Sequence, residues 1–318
     1  MNNIKVTVLM PVYNCEQYVA DAVVSVLDQT YPFFELLIVN DGSTDNTRSI
    51  IESFEDTRIR IINQENKGVA SALNLGLLNA RGEYIARFDA DDICMPDRLA
   101  KQIDFLDSNI DYIIVGGEAE YILDDGKSLF HFKCLGYSDS EIKAKVFSYC
   151  PFIHSSVMYR KDVILNAGGY SIYAHTFEDY LLWVQLTKKG KMANLPLQLI
   201  KVRYNPSSVT VDEKWRGSKF RKAKKQIIHK GFATKQDADF LMSIIGPQNT
   251  KQFKLSSYHA LCAKKFLTDN YHPQNARKQI KEAIKVWPFR IENYLVLLAS
   301  FLPRNIIVWY HLKSPNKL

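Results

Sequence analysis

The sequence predicts an α/β protein with a mainly parallel central sheet flanked by helices, followed by a C-terminal helical extension. Over residues 6–115, short apolar runs alternate with segments whose apolar residues recur at helical spacing, a pattern typical of β-α-β units. Beyond residue 213 the strand signals stop. With 47% hydrophobic and 24% charged residues among 318, the composition is that of an ordinary globular chain and argues against disorder.

Each element of the alternating region follows from a local pattern. The first helix carries Tyr18, Val19 and Ala22 at helical spacing, and Pro96 stands in the first turn of the fourth helix. Strands are predicted at Val6–Pro11, Glu35–Val39, Ile59–Ile62, Glu83–Phe88 and Tyr112–Val115, and helices at Glu16–Gln29, Asp45–Phe54, Val69–Asn79 and Pro96–Asp107.

The alternation loosens after residue 120, and we place a domain boundary near residue 213. This divides the chain into an α/β domain at 1–212 and a basic helical region at 213–318. The later predictions are a hairpin turn at Asp124–Gly126, helices at Asp139–Ser148 and Phe177–Lys188, an extended segment at Phe152–Tyr159, and C-terminal helices at Lys214–Lys230, Ile291–Leu302 and Ile306–Leu312.

The net charge of +7 conceals a division between the two parts of the chain. Residues 1–200 carry 18 Lys and Arg against 27 Asp and Glu, whereas residues 201–318 carry 23 against 7. The acidic part is compatible with binding a metal ion. The basic part favours an anionic partner such as phospholipid, nucleic acid or a pyrophosphate-bearing substrate.

Cysteine usage and the N-terminus predict a cytoplasmic protein. The five cysteines are an odd number, are widely scattered and form no C-x-x-C pair, which argues for reduced, incidental thiols and against a structural zinc site. The first apolar run ends at Pro11 and is too brief for the core of a signal peptide.

Four polar motifs follow the first four predicted strands. In an open parallel sheet the carboxyl ends of the strands meet at one edge, where ligands bind. We therefore expect the four motifs to line a single site. They are Pro11-Val12-Tyr13-Asn14, Asn40-Asp41-Gly42-Ser43-Thr44-Asp45, Asn66-Lys67-Gly68-Val69-Ala70 and Asp89-Ala90-Asp91-Asp92.

The last of these motifs concentrates negative charge at the end of a buried strand. Carboxylates so close together repel one another, so a fold keeps them either in water or around a cation. A D-x-D at a strand end presents carboxylates to one divalent ion and leaves other positions for phosphate oxygens, an arrangement that suits a nucleoside diphosphate. The alternative is a solvated loop before Pro96.

Taken together, the motifs resemble those of family 2 glycosyltransferases with the GT-A fold, inverting enzymes that use nucleotide sugars. PVYN, NDGSTD, NKGVASALN, GEYIARFDADD and FEDYLLW stand in that family's order over roughly residues 4–210. Within the family, the chain is similar to bacterial enzymes that build lipopolysaccharide, capsule or other surface glycans. One departure is Asn40, where the family usually has aspartate.

The resemblance implies roles for residues of the donor site. Asp41 would accept a hydrogen bond from uracil, and Pro11 and Tyr13 would form the base pocket. Asp89 would face the ribose and diphosphate, and Asp91, with Asp89, would bind Mn²⁺ or Mg²⁺. The further candidates for binding the nucleotide sugar are Asn14, Asn66, Gly68 and Arg87; Arg87 has the alternative of a structural ion pair with a neighbouring acid.

The resemblance also implies a catalytic base. Inverting transfer requires an acceptor hydroxyl to lose its proton as it attacks the anomeric carbon, and Asp179 of the Glu178-Asp179 pair matches the family's base. Both acids lie in the first turn of a predicted helix, where the helix dipole favours the ionised form; simple complementation of that dipole is the alternative. Glu178 and His154 are candidates for contact with the acceptor or donor sugar, and His154 has a structural alternative.

The basic, partly apolar C-terminal region has two interpretations. Eight Lys and Arg lie within Lys214–Lys230, and apolar segments follow at Tyr294–Leu302 and Ile306–Tyr310. These segments are too short and broken for a transmembrane helix. They either attach the protein to the anionic inner face of the membrane, where a lipid-linked acceptor resides, or pack on the catalytic domain.

Two other classes of function compete with an enzyme. A catalytically silent, nucleotide-sugar-binding scaffold would share the fold, but the presence of both Asp91 and Asp179 argues against it. The usual nucleic-acid-binding motifs are missing from the sequence, so no nucleic-acid partner is expected. The sugar, the acceptor and the linkage depend on pocket shape that no local motif encodes.

Overall fold

The structure is a computed structural model that describes residues 4–206, 216–248 and 250–313. It contains strands β1 to β9 and helices α1 to α13 within these residues. The strands are β1 Val6–Val12, β2 Phe34–Asn40, β3 Ile59–Asn63, β4 Tyr84–Arg87, β5 Ile93–Cys94, β6 Tyr112–Ile122, β7 Ser128–Phe132, β8 Met158–Arg160 and β9 Lys191–Arg203.

The helices alternate with the strands as far as β6 and dominate the C-terminal region. The helices are α1 Val19–Leu27, α2 Thr47–Glu52, α3 Val69–Asn79, α4 Arg98–Ser108, α5 Asp139–Lys145, α6 Lys161–Asn166, α7 Glu178–Leu186, α8 Gly217–Lys230, α9 Lys235–Ile245, α10 Lys251–Thr268, α11 Pro273–Val286, α12 Ile291–Ala299 and α13 Arg304–Lys313.

The strands form one sheet in the order β3-β2-β1-β4-β8-β6-β9-β5, with β7 beside β6. The pairings of β3 with β2, β2 with β1 and β1 with β4 are parallel; Val12 pairs with Asn40, and Asn40 with Asn63. The carboxyl ends of β1, β2 and β3 therefore lie at one edge, as the sequence predicts. Beyond β4 the pairing becomes antiparallel, between β4 and β8 and between β8 and β6.

Apolar side chains of the strands and helices form the core around this sheet. Strands β1 and β2 are buried along their whole length, as expected for strands that are covered on both faces. Helix α1 buries Val19, Ala22, Val23 and Val26, which is the helical spacing predicted from the sequence. The core cluster around Leu9 and Leu37 also includes Trp183 and Tyr159.

Most predicted elements are confirmed to within a few residues, and α3 has the predicted bounds. The hairpin turn is also confirmed, because Leu123 and Lys127 share a backbone hydrogen bond across it. The extended segment at Phe152–Tyr159 is interrupted by a 3-10 turn at His154–Ser156, so that prediction is only partly correct. Strands β5 and β9 were not predicted; β5 has only two residues, and β9 contains Pro196, a residue that argues against a strand interior.

The chain forms two compact units. Among the described residues, the first comprises 4–119, 132–202 and 225–238, and the second comprises 120–131, 203–206, 216–224, 239–248 and 250–313. The predicted boundary at 212/213 falls in the segment 207–215, outside the described residues, as does Lys214 of the basic run. The division into domains at 212/213 stays a prediction.

The second unit contains a helical core in which α10 packs on α11. Buried residues of α10 include Phe253, Ala260 and Phe266, and those of α11 are Ala276, Ile280 and Ala283. Among the helices that the structure describes, none is long and apolar enough to cross a membrane. The five cysteines lie within the described residues, and the structure has no disulfide bond among them.

Candidate active site

The loops after β1 and β2 are joined by side-chain hydrogen bonds. The backbone N–H of Asn14 donates to Ser43 Oγ at 3.1 Å, and the backbone N–H of Thr44 donates to Asn14 Oδ1 at 2.8 Å. Asn14 has a φ of 48°, a left-handed conformation that asparagine tolerates better than most residues. Pro11 is buried in β1, and the exposed Tyr13 lies between it and Asn14.

Asp41 joins the loop after β2 to the loop after β3. Its buried carboxylate accepts hydrogen bonds from Gln64 Nε2 at 2.5 Å and from the backbone N–H groups of Lys67 and Gly68 at 2.9 Å each. Three donors on one carboxylate fix the position of the N-K-G loop beside the N-D-G-S loop. Asn66 is exposed in this loop.

Asn40, the departure from the family pattern, has a structural role in these loops. Its Nδ2 donates to Asn63 Oδ1 at 2.8 Å, and its Oδ1 accepts from the backbone N–H of Ser43 at 3.1 Å. An aspartate could not donate the first of these bonds when ionised. The amide therefore links the ends of β2 and β3 directly.

Three carboxylates come together after β4. Asp89, Asp91 and Asp92 each offer an oxygen, and these oxygens all lie within 4.8 Å of one another. The backbone N–H of Asp89 donates to Ser155 Oγ at 3.0 Å, which ties the cluster to the 3-10 turn at His154–Ser156. An all-oxygen donor set of this kind fits a hard divalent cation such as Mg²⁺ or Mn²⁺.

A buried arginine adjoins this cluster. Arg87 is 3% exposed, and its guanidinium forms an ion pair with Asp89. Burial of the guanidinium opposes its charge, but the Asp89 carboxylate outweighs that effect and raises the pKa of Arg87. The predicted contact of Arg87 with the donor stays a prediction, and the ion pair with a neighbouring acid is present.

The Glu178-Asp179 pair lies in the first turn of α7, as the sequence predicts. Burial and then the Asp179 carboxylate raise the pKa of Glu178 to about 7, and the charges of Arg87 and Asp89 also act on it. The pair and the aspartate cluster therefore influence each other electrostatically although almost 90 residues separate them in the chain. Thr176, just before the helix, has a φ of 72°, a strained value for a β-branched residue.

His154 packs among aromatic side chains. Its Nε2 is 3.0 Å from Tyr170 Oη, which is 3.1 Å from Tyr159 Oη, and its ring packs edge-on against Trp183. Desolvation and then the charge of Arg87 lower the pKa of His154 well below its usual value. The imidazole is therefore neutral. Depending on its tautomer, it accepts a hydrogen bond from the Tyr170 hydroxyl or donates one to it.

The predicted site residues thus lie around one edge of the sheet, and the roles assigned to them stay predictions. Sequence reasoning missed several residues that shape the site. Gln64 had a weak signal, because it precedes the N-K-G motif. Asp92 was visible as a third acid but was not proposed as a ligand, and Cys15, Ser155 and Tyr170 had no local signal. The Cys15 thiol donates to Ala90 O at 3.3 Å.

Comparison with known sequences identifies relatives. The family model described as "Glycosyl transferase family 2" matches residues 7–166. An "Uncharacterized glycosyltransferase" of Haemophilus influenzae is 33% identical over 212 residues, covering 65% of this chain and 78% of the relative. The "Putative glycosyltransferase EpsE" of Bacillus subtilis is 34% identical, covering 63% and 73%. The "Amylovoran biosynthesis glycosyltransferase AmsE" of Erwinia amylovora is 30% identical, covering 72% and 86%.

Comparison with solved structures supports the same fold. TarS 1–349 of S. aureus, in complex with UDP-GlcNAc, gives a TM-score of 0.55 at 16% identity, covering 98% of this chain and 92% of that one. The mannosyltransferase PcManGT of Pyrobaculum calidifontis, in complex with GDP-Man and Mn²⁺, gives 0.52 at 17% identity, covering 98% and 88%. The expectations of a GT-A fold and of its family are thereby confirmed: this chain belongs to glycosyl transferase family 2.

Proposed function

We propose that this glycosyltransferase moves a hexosyl or N-acetylhexosaminyl group from a UDP-linked sugar, with inversion, to a hydroxyl group of a glycan or a lipid-linked acceptor. The product is a bacterial surface polysaccharide or lipopolysaccharide. The observation that carries the proposal is the meeting of two acidic groups, Asp89–Asp92 and Glu178–Asp179, around the buried Arg87. Such a meeting supports the proposal that metal ligands and a base share one site.

The acidic cluster would hold the divalent cation. Asp89 and Asp91 are the proposed ligands, and Asp92, whose carboxylate oxygen lies with theirs, is a third oxygen donor. When bound, Mn²⁺ or Mg²⁺ would neutralise the diphosphate that departs from the sugar. The ion pair between Arg87 and Asp89 fixes the orientation of the Asp89 carboxylate.

Asp179 is the proposed catalytic base. Its position in the first turn of α7 favours the ionised carboxylate, which takes the proton of the acceptor hydroxyl as the oxygen forms its bond to the anomeric carbon and the bond to the diphosphate breaks. Glu178, whose pKa is about 7, is proposed to contact a sugar hydroxyl, and the neutral His154 beside Tyr170 is proposed to do the same.

The loops after β1, β2 and β3 would bind the nucleotide. Pro11 and the exposed Tyr13 are proposed to face the uracil ring, and Asp41 to accept its N–H. Since the Asp41 carboxylate already accepts from Gln64 and from the loop at 67–68, the base would replace or join the Gln64 amide. Asn14, Asn66 and Gly68 are proposed to contact the nucleotide sugar.

Names of similar proteins bear on the choice of donor and product: that of TarS agrees with a UDP-linked donor, and that of AmsE agrees with a polysaccharide product. TarS was solved with UDP-GlcNAc, PcManGT with GDP-Man and Mn²⁺, and AmsE is named for amylovoran biosynthesis. We propose UDP over GDP as the carrier, a catalytic domain at 1–212 with a basic helical region at 213–318, and a cytoplasmic location at the inner face of the membrane, where a lipid-linked acceptor is reached.

Two substitutions separate metal binding from base catalysis. Asp91→Ala is expected to abolish metal-dependent binding of UDP, measured by calorimetry with Mn²⁺ and with a chelator. Asp179→Asn is expected to keep that binding and to lower transfer about 10²-fold or more, since it removes the proton acceptor. Transfer is measured with the UDP-sugar that binds, on a panel of glycoside and lipid-linked acceptors.

The matched control is Asp104→Asn, which removes a carboxylate on the exposed face of α4. It should bind and transfer like the original protein. If Asp179→Asn kept near-normal turnover, the assignment of the base would be wrong. If the original protein bound nucleotide sugars but released no sugar to water or to any acceptor, the silent scaffold would be favoured instead.

A further inference from the structure

Helix α12 buries polar side chains and exposes apolar ones, the opposite of a usual surface helix. Its inward face consists of Asn293, Val296 and, at its C-terminal end, Ser300, all of which are buried. Its outward face carries Ile291, Leu295 and Leu298, and Leu298 is 66% exposed. A helix at a water-facing surface ordinarily buries its leucines and exposes its polar residues.

Burial of Asn293, on the inward face of this helix, is not compensated by side-chain hydrogen bonds to any residue that the structure describes. Asn293 is 1% exposed, and neither its Nδ2 nor its Oδ1 has a hydrogen-bond partner among the described residues. Burying an amide without partners costs free energy, and exposing leucines to water forgoes the free energy of their burial. The arrangement becomes favourable if an apolar phase covers the outward face.

The apolar surface extends beyond the helix on both sides. Phe289, just before α12, is 91% exposed, and Phe301, just after it, is also exposed. A monomeric protein in water seldom exposes so many large apolar side chains in one short segment. We call the following residues the α12 surface: Phe289, Ile291, Tyr294, Leu295, Leu298, Phe301, Leu302 and Ile306.

Positive charge accompanies this apolar surface. Residues 273–313 contain seven Lys and Arg against two Glu. The guanidinium of Arg277 lies over the Phe301 ring, 4.9 Å from its centroid, which places one cation directly beside the α12 surface. Lys278 and Lys281, one helical turn apart on α11, are exposed. The chemistry is that of basic residues flanking an apolar helix face, which binds anionic lipid bilayers.

We infer that the α12 surface docks on an anionic phospholipid bilayer and rests in its interfacial layer. Helix α12 has nine residues, so it is about 14 Å long and lies along the interface, because a span requires about 30 Å. A second copy of this chain would bring a surface of the same positive charge and is disfavoured as the occupant. The role of this docking, which is to bring the enzyme to a lipid-linked acceptor, rests on the proposed function.

The test measures vesicle binding by the full chain without any nucleotide sugar. Vesicles of phosphatidylcholine alone and of an equimolar mixture with phosphatidylglycerol are floated with the protein. We expect binding to the mixed vesicles that weakens as salt is raised. The double substitution Leu295→Gln and Leu298→Gln should lower the partition coefficient about tenfold or more, because two exposed apolar side chains no longer enter the interface.

Two further variants make the result specific. Ile110→Gln removes an apolar side chain that is 82% exposed on the first unit and should leave vesicle binding unchanged. Lys278→Gln with Lys281→Gln should lower binding to the mixed vesicles about tenfold and reduce its salt dependence. All variants are checked for UDP binding, which should equal that of the original protein.

The outcomes separate this inference from the proposed function. Equal binding by the leucine variant and the original protein would overturn the docking surface, as would a lack of vesicle binding by a protein that turns over UDP-sugars. Self-association that the leucine variant abolishes, without vesicle binding, would assign the surface to a second copy and would likewise overturn it. Vesicle binding that depends on Leu295 and Leu298 would support the inference even if no UDP-sugar were a substrate.

Discussion

Two adjacent acids in α7 illustrate how position decides chemistry at the scale of single residues. Glu178 and Asp179 share one helical turn, yet burial and the charge of its neighbour raise the pKa of Glu178 to about 7. A glutamate with this pKa is partly protonated at neutral pH and donates a hydrogen bond in that form. This difference between neighbouring acids is in keeping with the proposed division of roles, in which Glu178 contacts a hydroxyl and Asp179 is the base.

The raised pKa predicts a pH dependence of stability. A glutamate is ordinarily protonated only below about pH 4.3, so between that value and pH 7 the folded state binds the extra proton and folding is favoured at the acid end. As the pH rises through 7, the folded protein must carry two adjacent charges and loses that stability. Glu178→Gln should therefore raise the free energy of unfolding by roughly 1–3 kcal/mol at pH 8 and change it little at pH 5.

This prediction is checked by urea unfolding at both pH values in the presence of a chelator, so that no cation enters the aspartate cluster. Asp104→Asn serves again as a control and should show no such difference between pH 5 and pH 8. If the Glu178→Gln protein were no more stable than the original at pH 8, the conclusion that the fold raises the pKa of Glu178 would be wrong.

At the scale of elements, the loop after β3 packs its backbone closely against Gly42, which lies in the loop after β2. This residue has a φ of 73°, and a Cβ there would lie 2.8 Å from the backbone nitrogen of Asn66. Real Cβ atoms do not come so close to backbone, so a side chain at Gly42 must push the loop at 64–68 outward. The donors to Asp41 lie in that loop.

We therefore predict that Gly42→Ala lowers both stability and nucleotide binding. Left-handed backbone strain accounts for about 1 kcal/mol, and displacement of the loop adds about 1–2 kcal/mol. The loss of UDP affinity, measured by calorimetry, should be at least tenfold, because Asp41 and the loop after β3 separate.

Gly126 offers the matched control for this prediction. It has a φ of 80° in the hairpin turn, and nothing lies within 4 Å of the position that a Cβ would take. Gly126→Ala should cost about 1 kcal/mol of stability through backbone strain alone and should leave UDP binding unchanged. Equal effects of the two substitutions on UDP binding would disprove the role assigned to the approach at Gly42.

At the scale of the whole molecule, acidic and basic residues are separated along the chain. The acidic part, residues 1–200, contains the aspartate cluster and the Glu178-Asp179 pair, and the basic part contains the exposed lysines of α11. Negative charge concentrated at the sheet edge attracts a divalent cation and repels a free nucleotide diphosphate. The proposed function therefore requires the cation for tight nucleotide binding.

Ligand binding should stabilise the protein only when the cation is present. Any ligand that binds the folded state alone stabilises it, by about 2.7 kcal/mol at 100 times its Kd. UDP with Mn²⁺ should therefore raise the thermal unfolding midpoint by several degrees. UDP with a chelator, or UDP with Mn²⁺ added to Asp91→Ala, should give little change; an equal rise in the chelator would show that nucleotide binding is independent of metal.

The sequence by itself determined the parallel half of the sheet, the edge at which the polar motifs gather and the family of the protein. These features depend on patterns that are local in the chain. Apolar periodicity sets β1 to β4 and α1 to α4, and parallel strands joined by helices bring their carboxyl ends to one edge. Short turn motifs at strand ends therefore locate the site without knowledge of side-chain contacts.

Tertiary structure alone decided the antiparallel half of the sheet, the pKa of Glu178, the donors that surround Asp41 and the outward face of α12. Each depends on segments that are distant in sequence, as when α7 brings Glu178 within electrostatic reach of Arg87 and Asp89. The residues of α12 predict an apolar helix equally well whether Leu298 points inward or outward. Which face is buried depends on the helices that pack against it, and a local pattern does not contain that information.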